Sequence, residues 1–467
     1  MRFHLYSDCN SMKGEKAMVN SKVRKGLSAV AATVITVLMA AGCSSGGTVQ
    51  MADKDGAGKE GQPVKPVEPP QEPVELVIYY PYVSDWDEAG LMQTFGEPIK
   101  KKYPYITPTF IVGDSRPGRS ITDLIAAGQK IDIMFCSIGA TPPTLLDPKL
   151  EYDITPLIKK YGYDLNKLEP TSLDMARQIA KGGLYGLPAY VPPSALYYNK
   201  DIFDKFGVPY PKDGMTWDEM YELNKKLTRK EGDGQYYGLS MSFSGAAQMN
   251  ARKLNPIDPA TEKSAINTAG WKSFAENFIR FYQIPGYGTS VDVGAQFNRF
   301  FKDRNTAMFV ELTGIHGALL EGMNFDIASF PVFADAPSAG PQPYLTYYYI
   351  PNTSKVKDQA FQAISYFTSE EFQQQKAREG KLLPILQNKT VKESFGQDVP
   401  LFKGKNTKAM LPQAYGAPSA VTRYNGIATT EFYNAVIAVI GGTKDLNTAF
   451  RDAEEIANQK IQTAKPK

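Results

Sequence analysis

Apolar positions along this chain switch between a period of two and a period near 3.6, and each switch marks an element. "ELVIYYPYV" over 75–83 is rich in β-branched and aromatic residues, and in the following "EAGLMQTFGEPIKKKYP" Leu91, Phe95 and Ile99 recur at helical spacing. A second strand, "ITPTFIV", a helix, "SITDLIAAGQ", and a third strand, "KIDIMFCS", complete a β-α-β-α-β order. That order predicts an α/β layout with a parallel sheet, whose ligand crevice lies at the carboxyl ends of the strands. The loops after Val83 and Cys136 are therefore the first places to look for a site.

Further along, "FDKFGVPYPKDGMTWDEMYELNKKLT" combines proline and glycine punctuation with a helix start. Thr216 is placed as an N-cap, Glu219 as its capping-box partner, and Met220, Leu223 and Leu227 on the buried face. Helices are expected over 270–282 and 296–303, and a strand at "TAMFVEL". "DQAFQAISYFTSEEFQQQKAREG" reads as one long helix or a pair, and "EFYNAVIAVIGG" and "DLNTAFRDAEEIANQKIQ" return to helix. No internal repeat is visible.

The amino terminus changes the picture. Lys22, Arg24 and Lys25 precede an apolar run over 27–39, then Ala40-Ala41-Gly42-Cys43. Basic, apolar, small and then Cys is the order of an export signal with a lipoprotein cleavage site. The run falls short of the roughly 20 apolar residues that a bilayer span needs, which disfavours a retained membrane helix. Resemblance to bacterial lipoproteins implies that Cys43 is diacylated and heads the mature chain. Cys9 and two acidic groups sit awkwardly ahead of such a signal, so Met18 is a candidate start. From 44 to 75 the chain is Gly, Ser, Lys and acidic residues followed by "QPVKPVEPPQEPVE", a composition that buries no core and makes an extended spacer.

Residues 1–42 carry six basic and two acidic groups, so the remainder balances 46 basic against 47 acidic residues. No basic surplus is left to suggest nucleic acid or a polybasic membrane patch. With Cys43 lipidated and Cys9 removed, Cys136 stands alone and no disulfide is expected. Lying in an apolar strand without a neighbouring His, it reads as a packed small hydrophobe ahead of a catalytic thiol. The mature chain has one histidine, His316, and no Cys/His cluster, so no zinc site is expected. An all-oxygen Ca²⁺ site stays open, and no cofactor is expected. A P-loop is also absent, so energy for any transport must come from another subunit.

"LYGLPAYVPPSALYYNKDIFDKFG" over 184–207 sets three prolines (188, 192 and 193) and four tyrosines between two elements. Such a connector fixes direction between two lobes, and its tyrosines offer flat apolar faces with a polar tip, a wall that suits carbohydrate. The longer run through 228 resembles the most recognisable segment of bacterial extracellular solute-binding proteins of family 1, the maltose-binding-protein-like sugar-binding lipoproteins of ABC importers. Gly186, Leu187, Pro188, Tyr198, Asn199, Lys200, Phe203, Gly207, Pro209, Pro211, Thr216, Trp217 and Glu219 carry it. "KIDIMF", "FFKDRNTAMFVE", the run from "YYYIPNTSK" to "KLLPIL" and the terminal "GGTKDLNTAFRDAEEIANQKI" extend the likeness over nearly all of the mature chain.

The resemblance implies a two-lobed periplasmic-binding-protein-like fold of type II, α/β in class, each lobe a mostly parallel sheet flanked by helices. A signal peptide over 1–42 and a linker over 43–75 would precede a first lobe of 76–189 with about 345–395. The second lobe would be 190–344 with about 396–467. It also implies a lipid-anchored monomer on the outer face of the cytoplasmic membrane that passes one carbohydrate, expected to be an oligosaccharide, to the permease subunits of an ABC transporter. Asn199, Lys200, Phe203 and Trp217 are expected to cap and pack the second lobe.

Ligand contacts are expected at the loops. Trp86 and Asp87 follow the first strand and offer a stacking face and a planar acceptor, although Trp86 is equally placed to pin the first helix. Ser137 follows "DIMFC", and Tyr190 faces the crossing. Where the family carries a tryptophan after Ala307-Met308, this chain reads "VELTGIHGAL", with Glu311, Thr313 and His316 as replacements. Tyr344 and Tyr347 flank the return crossing, where they either close the other wall or pack the hinge. Two other functions share these features. A ligand-presenting sensor would use the same fold, and a secreted glycoside hydrolase would need two carboxylates about 5 to 10 Å apart, for which Asp85, Asp87, Glu88 and Glu311 are nominees on chemistry alone.

Overall fold

The computed structural model describes residues 70–465 apart from 83–85, 114–117, 192, 312–314, 316 and 413. The export segment, Cys43, most of the linker, Asp85, Thr313 and His316 lie outside the described residues, as does the side chain of Glu311.

The first three strands, β1 (Val74–Tyr80), β2 (Ile106–Val112) and β3 (Ile133–Ser137), run parallel with β1 in the middle. After β4 (Gly186–Tyr190) the chain leaves this sheet and enters a second one with β5 (Ala195–Asn199). The hairpin strands β6 (Arg229–Glu231) and β7 (Gly234–Met241) follow, then the short pair β8 (Ile257–Asp258) and β9 (Lys263–Ser264). β10 (Thr306–Glu311) and β11 (Phe325–Ser329) complete the second sheet, and β12 (Thr346–Tyr349) returns to the first. The strand orders are β2-β1-β3-β12-β4 and β11-β5-β10-β7-β6.

In each sheet the strand that arrives directly from a crossing runs against its neighbours. β12 is antiparallel to β3 and β4, and β5 is antiparallel to β10 and β11. The geometry follows from the connection. A chain leaving one sheet at its strands' carboxyl edge reaches the facing edge of the other and can only run away from it. β4 and β12 also approach closely, since a Cβ on Gly186 would lie 2.3 Å from the Tyr348 carbonyl oxygen. Glycine alone fits that contact.

The helical spacing of Leu91, Phe95 and Ile99 buries all three. Their helix runs as Glu88–Leu91, a wider π turn over Met92–Gly96, and Glu97–Lys102. Phe95 packs edge-on to Phe135 at 5.0 Å and Phe367 at 5.4 Å, the centre of the first lobe's core. The expected capping box forms, with Glu219 N–H donating to Thr216 Oγ1 and Thr216 N–H donating to Glu219. Trp217 is 2% exposed behind it and lies 4.7 Å from Phe278. Asn199 caps the helix Lys200–Phe206, and Phe203 is buried, as their place in the pattern implied. The stretch read as one helix or two is a pair, Lys357–Phe367 and Glu370–Arg378, because Ser369 caps the second.

Motif residues without an obvious role in sequence tie the first lobe together. Asp132, fully buried, accepts from Val77 N–H at 3.0 Å and Ser354 Oγ at 2.8 Å. Lys130 Nζ stands 3.1 Å from the same carboxylate. The buried carboxylate is thus hydrogen-bonded and paired, as burial demands, and it joins β1 to the segment that follows β12.

Candidate functional site

The carboxyl ends of β1, β3 and β4 lie at one edge, beside the start of β12, where Thr346 pairs with both Ser137 and Tyr190. Aromatic rings line this edge. Trp86 is half-buried, with its ring centroid 5.8 Å from Tyr80, 5.7 Å from Phe95 and 6.0 Å from Tyr190. Tyr82 meets Tyr80 edge-on at 5.3 Å. Trp86 thus pins the first helix through Phe95, and its ring also meets that of Tyr190 along this edge.

Hydroxyl groups converge beside the rings. Tyr82 donates to Ser137 Oγ at 2.6 Å and accepts from Ser137 N–H at 2.7 Å. The Tyr344 hydroxyl hydrogen-bonds Ser137 and the Gly139 backbone. A Cβ on Gly139 would fall 2.2 Å from that hydroxyl, so glycine opens the place it occupies. Burial, then the neighbouring Cys136 and Tyr344, push the Tyr82 phenol well above its ordinary value. Burial likewise raises Tyr344, and its hydrogen bonds from Ser137 and Gly139 partly offset this. Both remain neutral hydroxyls that donate as well as accept. Ser137, at 8% exposure, is engaged by the two phenols, so it orients them.

Tyr344 reaches across. Its ring packs against the apolar cluster of the second lobe while its hydroxyl is held by Ser137 and Gly139 of the first. One side chain therefore touches both lobes.

Other expected contacts stand elsewhere. Tyr347 is a correction: it is completely buried, stacks on Tyr349 at 5.7 Å and donates to Ser172 O at 2.9 Å. Strand alternation turns it into the first lobe's core, so it closes no wall. Asp87 is exposed and N-caps the first helical turn, with its Oδ1 accepting from Gly90 N–H at 2.8 Å. One of its oxygens is thus committed to structure. Glu311 ends β10 opposite Ala195, which places its backbone at the second sheet's facing edge. Tyr82 was missed in sequence, although its signal, a third aromatic ring just past the strand in "YYPY", stood in plain view.

Among the described residues, no group of three or more His, Cys, Asp or Glu is placed to hold a metal ion, and no helix is long and apolar enough to cross a membrane. Cys136 is buried and unpaired by disulfide, and Thr144 Oγ1 donates to its sulfur at 3.4 Å. Burial pushes its thiol up to about 12, the opposite of an activated nucleophile.

Residues 85–374, more than half of the chain, match the profile of the family described as bacterial extracellular solute-binding protein. The chain belongs to that family. A mannitol-binding protein of Pseudomonas aeruginosa is 25% identical to this solute-binding protein over 303 residues, covering 60% of the chain and 66% of the relative. An arabinooligosaccharide-binding protein of Bacillus subtilis is 35% identical over 80 residues, 17% of each chain. The chain thus spans less than two thirds of the length of the curated relatives it matches. In fold, it is similar to an ABC substrate-binding protein from Listeria monocytogenes in complex with cycloalternan, at a TM-score of 0.68. That likeness covers 83% of this chain and 99% of the other at 18% identity. The two-lobed α/β fold expected from sequence is the fold of these solved proteins.

Proposed function

We propose that this solute-binding protein captures a carbohydrate, an oligosaccharide in the simplest reading, between its two lobes and delivers it to the permease subunits of an ABC importer. It acts as a monomer held by lipid on Cys43 at the outer face of the cytoplasmic membrane. The observation that carries the reading is the joint wall of Trp86, Tyr190 and Tyr82 beside the Ser137–Tyr344 hydroxyls. Rings stack on the C–H faces of a sugar, and fixed hydroxyls meet its O–H groups. Relatives named for mannitol and arabinooligosaccharide binding support the same solute class. Binding is favoured over turnover because the nominee Asp87 is engaged as a helix cap.

The mechanism is a two-state one. A solute contacting both lobes favours the arrangement in which they close, by as much as it binds that state better. Tyr344, already in contact with both, sits where such closure is felt. Asp87, Glu311, Thr313 and His316 remain proposed contributors at the rim.

Thermal unfolding against a panel of mono- and oligosaccharides, with the sugar recovered and weighed for cleavage, tests the reading. A midpoint raised by one sugar class, with that sugar recovered intact, is expected. No rise with any sugar would point to another solute, and cleaved sugar would establish the hydrolase.

A further inference from the structure

The stretch that follows β3 receives the Tyr344 hydroxyl at Ser137 and Gly139 and then enters a π turn, Pro142–Leu146. Asp147 N–H closes that turn by donating to Pro142 O at 2.9 Å. Just beyond it the backbone is tied into the first lobe, because the Asn352 side chain and N–H donate to the carbonyls of Lys149 and Leu150, both at 2.8 Å. Asp147 is thus fixed to the first lobe with its carboxylate half exposed.

Opposite it runs the segment 414–424, which has neither helix nor strand yet is held to the second lobe along its length. Gly340 N–H donates to Ala414 O and Gly416 N–H to Pro341 O, both at 3.1 Å. Gln342, itself buried, accepts from Ser419 N–H at 2.7 Å and donates to Ser419 Oγ at 2.8 Å. Ala420 N–H donates to Asn255 Oδ1 at 2.8 Å, and Tyr424 is buried in the second lobe's apolar cluster. Between these anchors Arg423 reaches out, and its Nη2 stands 3.2 Å from Asp147 Oδ1. The same segment leans on the first lobe once more at Tyr415, whose phenol is pushed up by burial and then by Glu169, the cap of the helix Pro170–Ile179.

We propose that Asp147 and Arg423 form an electrostatic latch between the lobes, which favours their closed arrangement and so raises solute affinity without touching the solute. The inference rests on the two-lobed capture proposed above. Each backbone is fixed to its own lobe, so the pair senses the separation of the lobes and not the motion of one loop. Opening the cleft draws the two charges apart, and the attraction is lost. Its size is modest, since the Arg423 and Asp147 side chains are 35% and 52% exposed. Pairs of that exposure shift an equilibrium about two- to five-fold. Such a latch releases readily, and the solute still decides whether the lobes stay closed. Unlike the neutral Tyr344 phenol, it is weakened by salt.

The test is small-angle scattering of the solute-free protein, with calorimetry beside it. At about 0.05 M salt, Asp147→Asn and Arg423→Gln are each expected to enlarge the radius of gyration at an unchanged thermal midpoint. The paired swap, Asp147→Arg with Arg423→Asp, is expected to restore it. At about 1 M salt, where the screening length is near 3 Å, wild type and the single variants should coincide. Affinity for whichever of maltotriose and D-mannitol binds should fall about two- to five-fold in each single variant and return in the swap. A wild-type radius in both single variants at low salt overturns the latch. A swap as expanded as the single variants overturns it too, because complementary charge would then not be the cause. Scattering is read without solute, so it decides the latch even where neither compound binds, a result that would count against the carbohydrate reading instead.

Discussion

Tyr190 and Tyr347 stand on adjacent strands, one register position apart: Tyr190 opposes Thr346, and Tyr347 opposes Pro188. In sequence they look alike, each a tyrosine beside a crossing. In the fold Tyr190 ends its strand half-buried with Trp86 on its ring, whereas Tyr347 is the second residue of a strand that is buried on both faces. What separates them is depth from the shared edge. Tyr190 is the last residue of its strand, at the edge itself, whereas Tyr347 lies one position further in, opposite Pro188, where both faces are covered. Depth from that edge therefore decides a tyrosine's role more than its nearness to a crossing in sequence does.

The largest expected effect breaks the pair apart. Tyr347→Ala removes a fully buried ring and strands the Ser172 carbonyl, so about 3–5 kcal/mol of stability should be lost in urea unfolding. Solute affinity per folded molecule should stay as it is; a lost affinity at retained stability would return Tyr347 to the wall. Trp86→Ala and Tyr190→Ala should do the reverse at smaller scale. Each is expected to weaken sugar binding at least tenfold, as buried aromatic anchors do, measured by calorimetry. Their ligand-free midpoints should fall far less than that of Tyr347→Ala, and equal falls would make the wall mere packing.

Much of the fold was legible because hydrophobic period and capping chemistry are local. The β-α-β-α-β opening, the Thr216–Glu219 box and the terminal helices all follow from residues a few positions apart. Of the proposed wall, Ser137 and Tyr190 were legible because each closes a strand. Tyr347 misled because "TYYYIP" gives no sign of which alternate faces are covered, and that depends on β3 and β4 lying on either side of β12. Asp87 is ambiguous in a different way: the N-cap and the sugar acceptor ask for the same side chain at a loop-to-helix junction.

The hydroxyl cluster sharpens the comparison at about 1 kcal/mol. Tyr344→Phe removes the phenol that ties the second lobe to Ser137 and Gly139, while Tyr82→Phe removes one that stays within the first lobe. Both should cost similar stability. Only Tyr344→Phe should change the fraction of closed molecules without solute, which small-angle scattering reads as a larger radius of gyration. An equal change in both variants would remove Tyr344 from the closure.

The smallest effect lies just behind that cluster. Burial holds the Cys136 thiol up to about 12 in the folded protein, against 9.0 when unfolded. The folded state therefore keeps its proton after the unfolded state has lost it, so the contribution is complete below pH 9 and falls away as pH rises toward 12. At pH 9 half of the unfolded thiols are ionised, which lowers stability by RT ln 2, about 0.4 kcal/mol. Buried tyrosines such as Tyr347, Tyr348 and Tyr349 add to the same decline, because burial raises their folded values too, so the thiol's share is the difference in slope between wild type and a variant without it over about pH 7 to 9. Cys136→Ala should flatten the decline of the urea midpoint across that window. An unchanged slope would mean that the thiol is reached by water, and with it the base of the Tyr82–Ser137 cluster, which would then be a wetted floor in place of the dry support that the buried strand provides.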